Sequence, residues 1–445
     1  MKKILLYTTL LFGLSSVTIA QNKLWTMEEC MQYAVEHSPA VKQKVYTSDT
    51  YKADQTKAIA SFFPSLEAGV YAEYNFGRAI NPETNTYTNT TTFNNYYQGR
   101  ANLPLFYGGQ LVNQFRLAKS NRQMGMNDVQ KAKDDLALST IEAFVNVVYY
   151  QGTVQFAKEK SEESNRTLYK TRRQEELGVK GRADVALIEA QAAEDDYNLT
   201  QQENLYTTSI LKLKEFMNYP YDEELVIDTT AIIPDYLPSD ESAEDIFNLA
   251  KENNPMALQA AFKLKESKFN HLIAKGKLFP SISMSAGINT SYYEDLKSET
   301  APVAFRTQFK NNRGEYISFS LSIPIFDRLS TITEIRRTRN SLKIAREQET
   351  EVLWQLQSAI EQSIADRKGF AKESILMEKK LNSDEIAYKV TLRKFEEGLM
   401  SPIELQTSAN ILIQSKANLL QKQLMYLLKC KQVDYYKGKP LIVEK

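Results

Sequence analysis

Histidine and cysteine are nearly missing from this 445-residue chain, which carries two of each: His37, His271, Cys30 and Cys430. Neither histidine belongs to a HExxH, CxxC or similar spacing, so no metal site is legible, and both are expected at a helix surface or cap. Two cysteines at opposite ends of the chain are too few for a disulfide framework, and the expectation is two buried or half-buried thiols. An excess of one charge is lacking too. The chain has 55 basic and 55 acidic residues, with no basic block, which argues against nucleic acid as a partner. There is no Gly-x-Ser-x-Gly elbow, and neither histidine has an evident Ser and Asp companion, so no catalytic residue and no cofactor site is assigned. Past Leu14 there is no apolar run of the ~18 residues a membrane-spanning helix needs. Any insertion into lipid would therefore use a β-barrel, the other structure that satisfies every backbone polar group there.

The short apolar run that does occur, Ile4 to Leu14, follows Lys2 and Lys3 and precedes Thr18-Ile19-Ala20. Residues 1–20 thus read as a signal peptide cut before Gln21. A lipoprotein signal would need a cysteine at that cut, and Cys30 falls well beyond it.

What the chain has in place of motifs is an internal repeat. Met27 to Pro39 recurs as Ala243 to Pro255 (255 − 39 = 216), placing Glu28 on Glu244, Ala34 on Ala250 and Glu36 on Glu252. The same offset carries Phe63-Pro64-Ser65 onto Phe279-Pro280-Ser281. Further on the offset becomes 220 (324 − 104 = 220), with Leu103-Pro104-Leu105-Phe106 on Ile323-Pro324-Ile325-Phe326, Pro82 on Pro302 and Gly178 on Gly398. A four-residue insertion therefore precedes Pro302.

Each copy reads as helix, strand hairpin, long helix and returning helix. Thr26 is a candidate N-cap, with Glu28 and Glu29 in the first helical turn; Ser38-Pro39 interrupts the helix and Phe63-Pro64 ends it. Leu66, Ala68, Val70, Ala72, Tyr74 and Phe76 then alternate with polar residues. A return strand carries Tyr97, Gly99, Ala101, Leu103 and Leu105, and Asn81 to Asn95 reads as a polar loop between the two. In the second copy Ile282, Met284, Ala286 and Ile288 alternate in the same way, as do Ile317, Phe319, Leu321 and Ile323. Strands of ~10 residues with one apolar and one polar face suit a transmembrane barrel wall, and equally suit a half-buried hairpin in a soluble sheet. Proline-free stretches follow, with apolar residues at helical spacing (Leu138, Ile141, Val145, Val148; Leu353, Leu356, Ile360). A helix from about 109 to 176 would be ~100 Å long, a length that suits coiled-coil packing. The rods end at Gly178-Val179-Lys180-Gly181-Arg182-Ala183-Asp184 and at Gly398-Leu399-Met400-Ser401-Pro402-Ile403-Glu404, each a glycine stop, a short turn and an acidic helix start. The returning helices are expected to reach Met217 and Cys430. The organisation is thus a first repeat at 21–218 (hairpin about 65–106), a connector at 219–242 and a second repeat at 243–445 (hairpin about 281–326).

Leu24-Trp25-Thr26-Met27-Glu28-Glu29, Ala34 and Ser38-Pro39 resemble the opening pattern of TolC-type outer-membrane efflux proteins, and Asn254-Pro255 in the second copy matches it more closely. With the Phe-Pro-Ser strand entries, Pro-Leu-Phe exits and Gly-turn-acid tips, the resemblance covers essentially the whole chain after the signal. It implies a mainly α fold with a transmembrane β part: a homotrimer sharing a twelve-stranded barrel, four strands per subunit, on a long helical coiled-coil barrel with an internal two-fold repeat. It implies residence in outer-membrane lipid with a long periplasmic extension, and a passive exit duct for efflux or type I secretion. The turns Gly178, Val179, Lys180, Gly181, Arg182 and Gly398, Leu399, Met400, Ser401, Pro402 would dock a periplasmic adaptor and, through it, an inner-membrane pump. Asp184 and Glu404 fall where the family places acids that ring the closed entrance, and the same acids suit helix capping. Phe395 stands where the family often has a tyrosine that holds the closed state, and Met400 where a basic residue can occur. Both depart from the usual latch, and Arg182 is the substitute charge partner on offer. Two other readings compete with the duct: a non-pore coiled-coil tether of the envelope and an outer-membrane hydrolase.

Overall fold

A computed structural model describes residues 23–81, 85–229, 236 and 241–442. The signal peptide assigned to 1–20, and Pro82, Pro234 and Pro238, lie outside them.

In chain order the elements are β1 (Leu24–Trp25), α1 (Met27–His37), α2 (Pro39–Ala60), β2 (Ser65–Asn81), β3 (Thr86–Tyr107), α3 (Gln110–Glu176), α4 (Arg182–Met217), β4 (Val226–Ile227), α5 (Ala243–Asn253), α6 (Pro255–Gly276), β5 (Ser281–Asp295), α7 (Phe305–Asn311), β6 (Gly314–Ser322), α8 (Ser330–Glu396) and α9 (Pro402–Tyr436). The caps explain the helix breaks. Thr26 Oγ1 accepts the Glu29 amide at 3.2 Å while the Glu29 carboxylate accepts the Thr26 amide at 3.0 Å, a reciprocal capping box. Ser38 and Asn254 cap α2 and α6, each with proline at the first helical position, where its missing N–H costs nothing.

The rods α3 and α8 have 67 residues each, so each is ~100 Å long. Helices α2 and α6 pack along the halves nearer the strands, and α4 and α9 along the halves that end in the glycine turns. The expected apolar stripe is buried: Ile141, Val145 and Val148 meet Cys30, Met31 and Ala34 of α1, Leu213 and Met217 of α4, and Leu424 of α9. Leu356 and Ile360 join Ile246 and Ala250 of α5 in a second core. Strands β1 and β4 form a small parallel pair beside the first of these cores.

The other four strands make one antiparallel sheet in the order β2-β3-β5-β6. Aligned residues Leu66, Ala101, Ala286 and Ile317 share one face, and Glu67, Arg100, Gly287 and Tyr316 the other. Leu66, Val70, Phe76, Ile317 and Phe319 are all exposed in the single chain, so the apolar face is not the lining of a soluble core.

Several expectations are corrected. Of the stretch Asn81 to Asn95, the part from Thr86 onward is strand, not loop: Asn81 pairs with Thr86 and Phe76 with Thr91, because backbone pairing holds β3 straight through an Asn/Thr-rich run whose apolar side chains are only Tyr87 and Phe93. In the second repeat the positions 220 further on, 305–311, wind into α7 instead, so β6 begins only at Gly314. Ile323 lies just past the end of β6. The returning helix α9 continues beyond Cys430 to Tyr436. His271 is neither surface nor cap. It is buried on α6, with Nδ1 3.1 Å from Thr338 Oγ1 of α8, and burial lowers its pKa, with Lys275 and Arg339 adding to the shift. His37 is exposed and stacks on Tyr33. Cys30 is fully buried, which pushes its thiol up to about 12, and Cys430 is half-buried.

Candidate functional site

The two glycine turns lie side by side at the end of the rods away from the sheet. In each, the glycine takes the left-handed conformation (φ 74° at Gly178, 76° at Gly398), and the residue after it donates back to the helix: Val179 N to Gln174 O and Leu399 N to Lys394 O, both 2.8 Å. This closure satisfies carbonyls the helix end would leave unpaired, and any Cβ would disfavour it. The chain then turns at once into the next helix. The Glu404 carboxylate accepts the Ser401 amide and hydroxyl, both at 2.8 Å, and the Ser401 hydroxyl accepts the Glu404 amide at 3.3 Å. The backbone bond to Ser401, with its side-chain bond, holds the Glu404 carboxyl below the usual range. Asp184 caps its helix more loosely, accepting the Gly181 amide at 3.4 Å. Both acids are therefore capping residues. Val179 and Leu399 project into solvent as exposed apolar tips.

A small core ties the turns together. Phe395 is buried against Ile188 of α4 and Leu405 of α9, with Met400 beside them. Lys180 of the first turn holds its ammonium 5.4 Å from the Phe395 ring centre, a cation–π contact. Arg182 is exposed and has no ion-pair partner among the described residues, while Lys180 reaches from the first turn to the second hairpin.

Farther up the rods lies a polar layer that residue spacing did not reveal. Asp195 of α4, 1 % exposed, accepts from Lys160 at 2.8 Å, from Gln191 at 2.8 Å and from the Ser164 hydroxyl of α3. Lys380, Asp384 and Ser415 stand 220 positions after Lys160, Ser164 and Asp195 (380 − 160 = 220). They form the same cluster between α8 and α9, with Lys380 Nζ 2.6 Å from both Asp384 and Ser415. Ser415 Oγ also donates to Asp384 at 2.5 Å. Lys380 and Ser415 hold the Asp384 carboxyl below its usual range. Serine and aspartate have changed places between the repeats while the cluster survives. Each cluster pins one helical hairpin internally; breaking the buried Lys160–Asp195 pair by removing one partner costs ~3–5 kcal/mol, whereas Lys380 is half exposed and its pair is worth less.

A second set of contacts joins hairpin to hairpin. The Tyr388 hydroxyl of α8 donates to Glu163 of α3, and Lys160 donates to Asn410 of α9. Lys170 meets Glu396 at 2.9 Å. Burial, with the Glu163 bond, raises the Tyr388 pKa. The 220-residue offset is the signal for the two clusters, since it carries Lys160, Ser164 and Asp195 onto Lys380, Asp384 and Ser415; the contacts between hairpins are not related by it.

Residues 30–218 and 246–432 match the family described as outer membrane efflux protein. The chain belongs to that family. Comparison with curated proteins yields no match. Among solved structures, CusC, studied for folding and transmembrane channel formation, superposes with a TM-score of 0.80 at 14% identity, over 95% of this chain and 96% of its own. VceC of Vibrio cholerae gives 0.78 at 13%, over 93% and 96%, and the open state of MtrE of Neisseria gonorrhoeae 0.76 at 16%, over 94% and 89%. The outer membrane efflux family consists of transport conduits rather than enzymes. Its fold places the sheet in the outer membrane and the rods in the periplasm. No helix among the described residues is long and apolar enough to cross a membrane.

Proposed function

We propose that three copies of this chain close a twelve-stranded barrel and a helical duct through which an adaptor-coupled inner-membrane pump, of the efflux or type I secretion kind, expels its cargo. The sheet carries this reading. Among the described residues the outer edges of β2 and β6 have no strand beside them, and open edges in lipid leave each unpaired backbone group at a cost of several kcal/mol. Pairing β2 of one copy with β6 of the next removes both edges. Apolar side chains along α8, among them Ile344, Trp354, Ile386 and Val390, are exposed in the single chain, and neighbouring rods would cover them.

The duct does no chemistry of its own. Gly178–Arg182 and Gly398–Pro402 form the surface an adaptor meets, with Val179 and Leu399 as its apolar points. Asp184 and Glu404 line the entrance while capping their helices. The entrance opens when adaptor contact favours the state in which the α8–α9 hairpin leaves α3–α4. The clusters at Asp195 and Asp384 keep each hairpin rigid, while Tyr388–Glu163, Lys170–Glu396 and Lys180 over Phe395 are the contacts given up.

The test is single-channel recording in planar lipid bilayers with the oligomer mass measured in detergent. A trimer with low conductance that rises on Asp184→Asn plus Glu404→Gln is expected. A monomer, or a trimer that stays silent in both forms, would sink the duct reading and leave a coiled-coil tether.

A further inference from the structure

Helix α7 sits where a strand should be. Past the Asn289–Gly314 pair, β5 loses β6, and side chains of α7 take over its free edge. The Gln308 amide accepts from the Tyr293 N–H at 3.0 Å and donates to the Tyr293 carbonyl at 2.8 Å, as a strand backbone would. Asn312 donates to the Ser291 carbonyl at 2.9 Å. The helix then leans onto the apolar, lipid-side face. The Thr290 hydroxyl donates to the Phe309 carbonyl at 2.7 Å, and Phe305 and Phe309 pack on Tyr97 and Tyr292 with ring centres 5.2–6.1 Å apart.

Beneath its overhang runs a groove floored by Ala68, Val70, Gly99 and Ile288, roofed by Phe309 and ended by Lys310 and Arg313. A Cβ on Gly99 would meet only Ile288, at 3.5 Å, so the groove is a dent made by small residues. Arg306 and Lys310 are exposed, and Arg313 pairs with Glu315. Because the rods leave the opposite end of the sheet, this overhang lies at the outer end of the β5–β6 pair, while β2 and β3 run on past it.

An apolar slot on the lipid side with cations at its mouth matches one kind of occupant. We propose that α7 and the β2–β3–β5 wall bind a phosphate-bearing, multi-acyl glycolipid of the outer leaflet, one acyl chain in the groove and a phosphate on Arg306, Lys310 and Arg313. The proposal rests on the outer-membrane placement of the sheet. Cations near an anionic membrane surface contribute ~1 kcal/mol each, about fivefold in affinity. Diphosphoryl lipid A, the same lipid dephosphorylated, and inorganic phosphate alone serve as probes, and native mass spectrometry of the detergent-solubilised full chain counts bound lipid.

The double variant Arg306→Gln, Lys310→Gln should weaken diphosphoryl lipid A about 25-fold and the dephosphorylated lipid little, whereas Lys297→Gln, outside the groove, leaves both unchanged. Gly99→Leu, which fills the slot without touching charge, should weaken both lipids. Equal retention of the two lipids by the unaltered protein, undiminished retention by the double variant, or displacement of lipid by millimolar inorganic phosphate alone would each overturn the proposal. Bilayer conductance is measured on every variant. An intact channel with phosphate-blind lipid retention rejects the lipid site and spares the duct; a protein that stays silent both unaltered and as Asp184→Asn plus Glu404→Gln rejects the duct itself.

Discussion

Leu329 adopts φ 65°, and Arg328 before it φ 58°, where the first repeat has Gly109 at 75° and Gly108 at 58°. The strand-to-helix corner needs two left-handed residues, and the second copy meets that need without glycine. Left-handed backbone costs an ordinary residue roughly 1–2 kcal/mol, and Leu329 is 56% exposed, so its side chain recovers little by burial. Leu329→Gly is therefore expected to stabilise the protein by about 1 kcal/mol, visible as a higher thermal midpoint in detergent. Asp134 presents the opposite case. Burial, opposed by the Gln130 bond, pushes its carboxyl up to about 6 from an ordinary 3.8. A raised acid penalises the folded state wherever it must ionise, so the penalty is full above pH 6 and disappears between 6 and 4. Asp134→Asn should add about 1–3 kcal/mol at pH 7.5, and its advantage in melting temperature should shrink as pH falls through that window. An advantage that is flat or growing toward pH 4 would contradict the assigned burial. The caps at Thr26 and Glu404 were legible because capping is a rule about neighbours in the chain. The burial of His271 and the Lys160–Asp195 pair were not, since they depend on which helix faces which.

At the level of elements the rods, the helix breaks and the glycine turns were legible, because 3–4 spacing, Ser-Pro, Asn-Pro and Gly each act through local backbone geometry. The outer ends of the strands were not. Alternation marks a strand only where apolar side chains recur on one side; between Thr86 and Asn95 only Tyr87 and Phe93 do so, and the Asn/Thr composition imitates a loop. Helix α7 escaped for a related reason: seven residues give no readable period, and only the shift in repeat offset from 216 to 220 hinted that the two hairpins differ. The contacts between hairpins make a prediction at this scale. Tyr388→Phe removes the hydroxyl that meets Glu163 while keeping the ring in its core, so folding and trimer content should be unchanged. Mean conductance in planar bilayers should rise severalfold relative to the unaltered channel, since loss of one such bond is worth ~1–2 kcal/mol. A conductance equal to that of the unaltered protein would remove Tyr388 from the set of contacts that hold the entrance shut.

For the whole molecule, the two copies supply both ends of one object. Strands 65–107 and 281–322 meet in a single sheet, and turns at 178 and 398 meet at the other end, because the rods between them have the same length, 67 residues. Neither hairpin nor turn identifies a duct singly; their duplication at opposite ends of matched rods does. That equality makes the molecule a caliper. It fixes how far from the membrane its two jaws close, and the measurement is valid only while both legs agree. Seven residues added to α8 alone would displace one jaw by ~10 Å, splitting Phe395 from Ile188, and adaptor capture by the purified trimer should be lost. The same seven added at equivalent points of α3 and α8, with their returning helices lengthened to match, should restore capture in detergent. In a cell whose envelope spacing is unchanged, that longer caliper would still fail to export, since it would measure a gap that is not there.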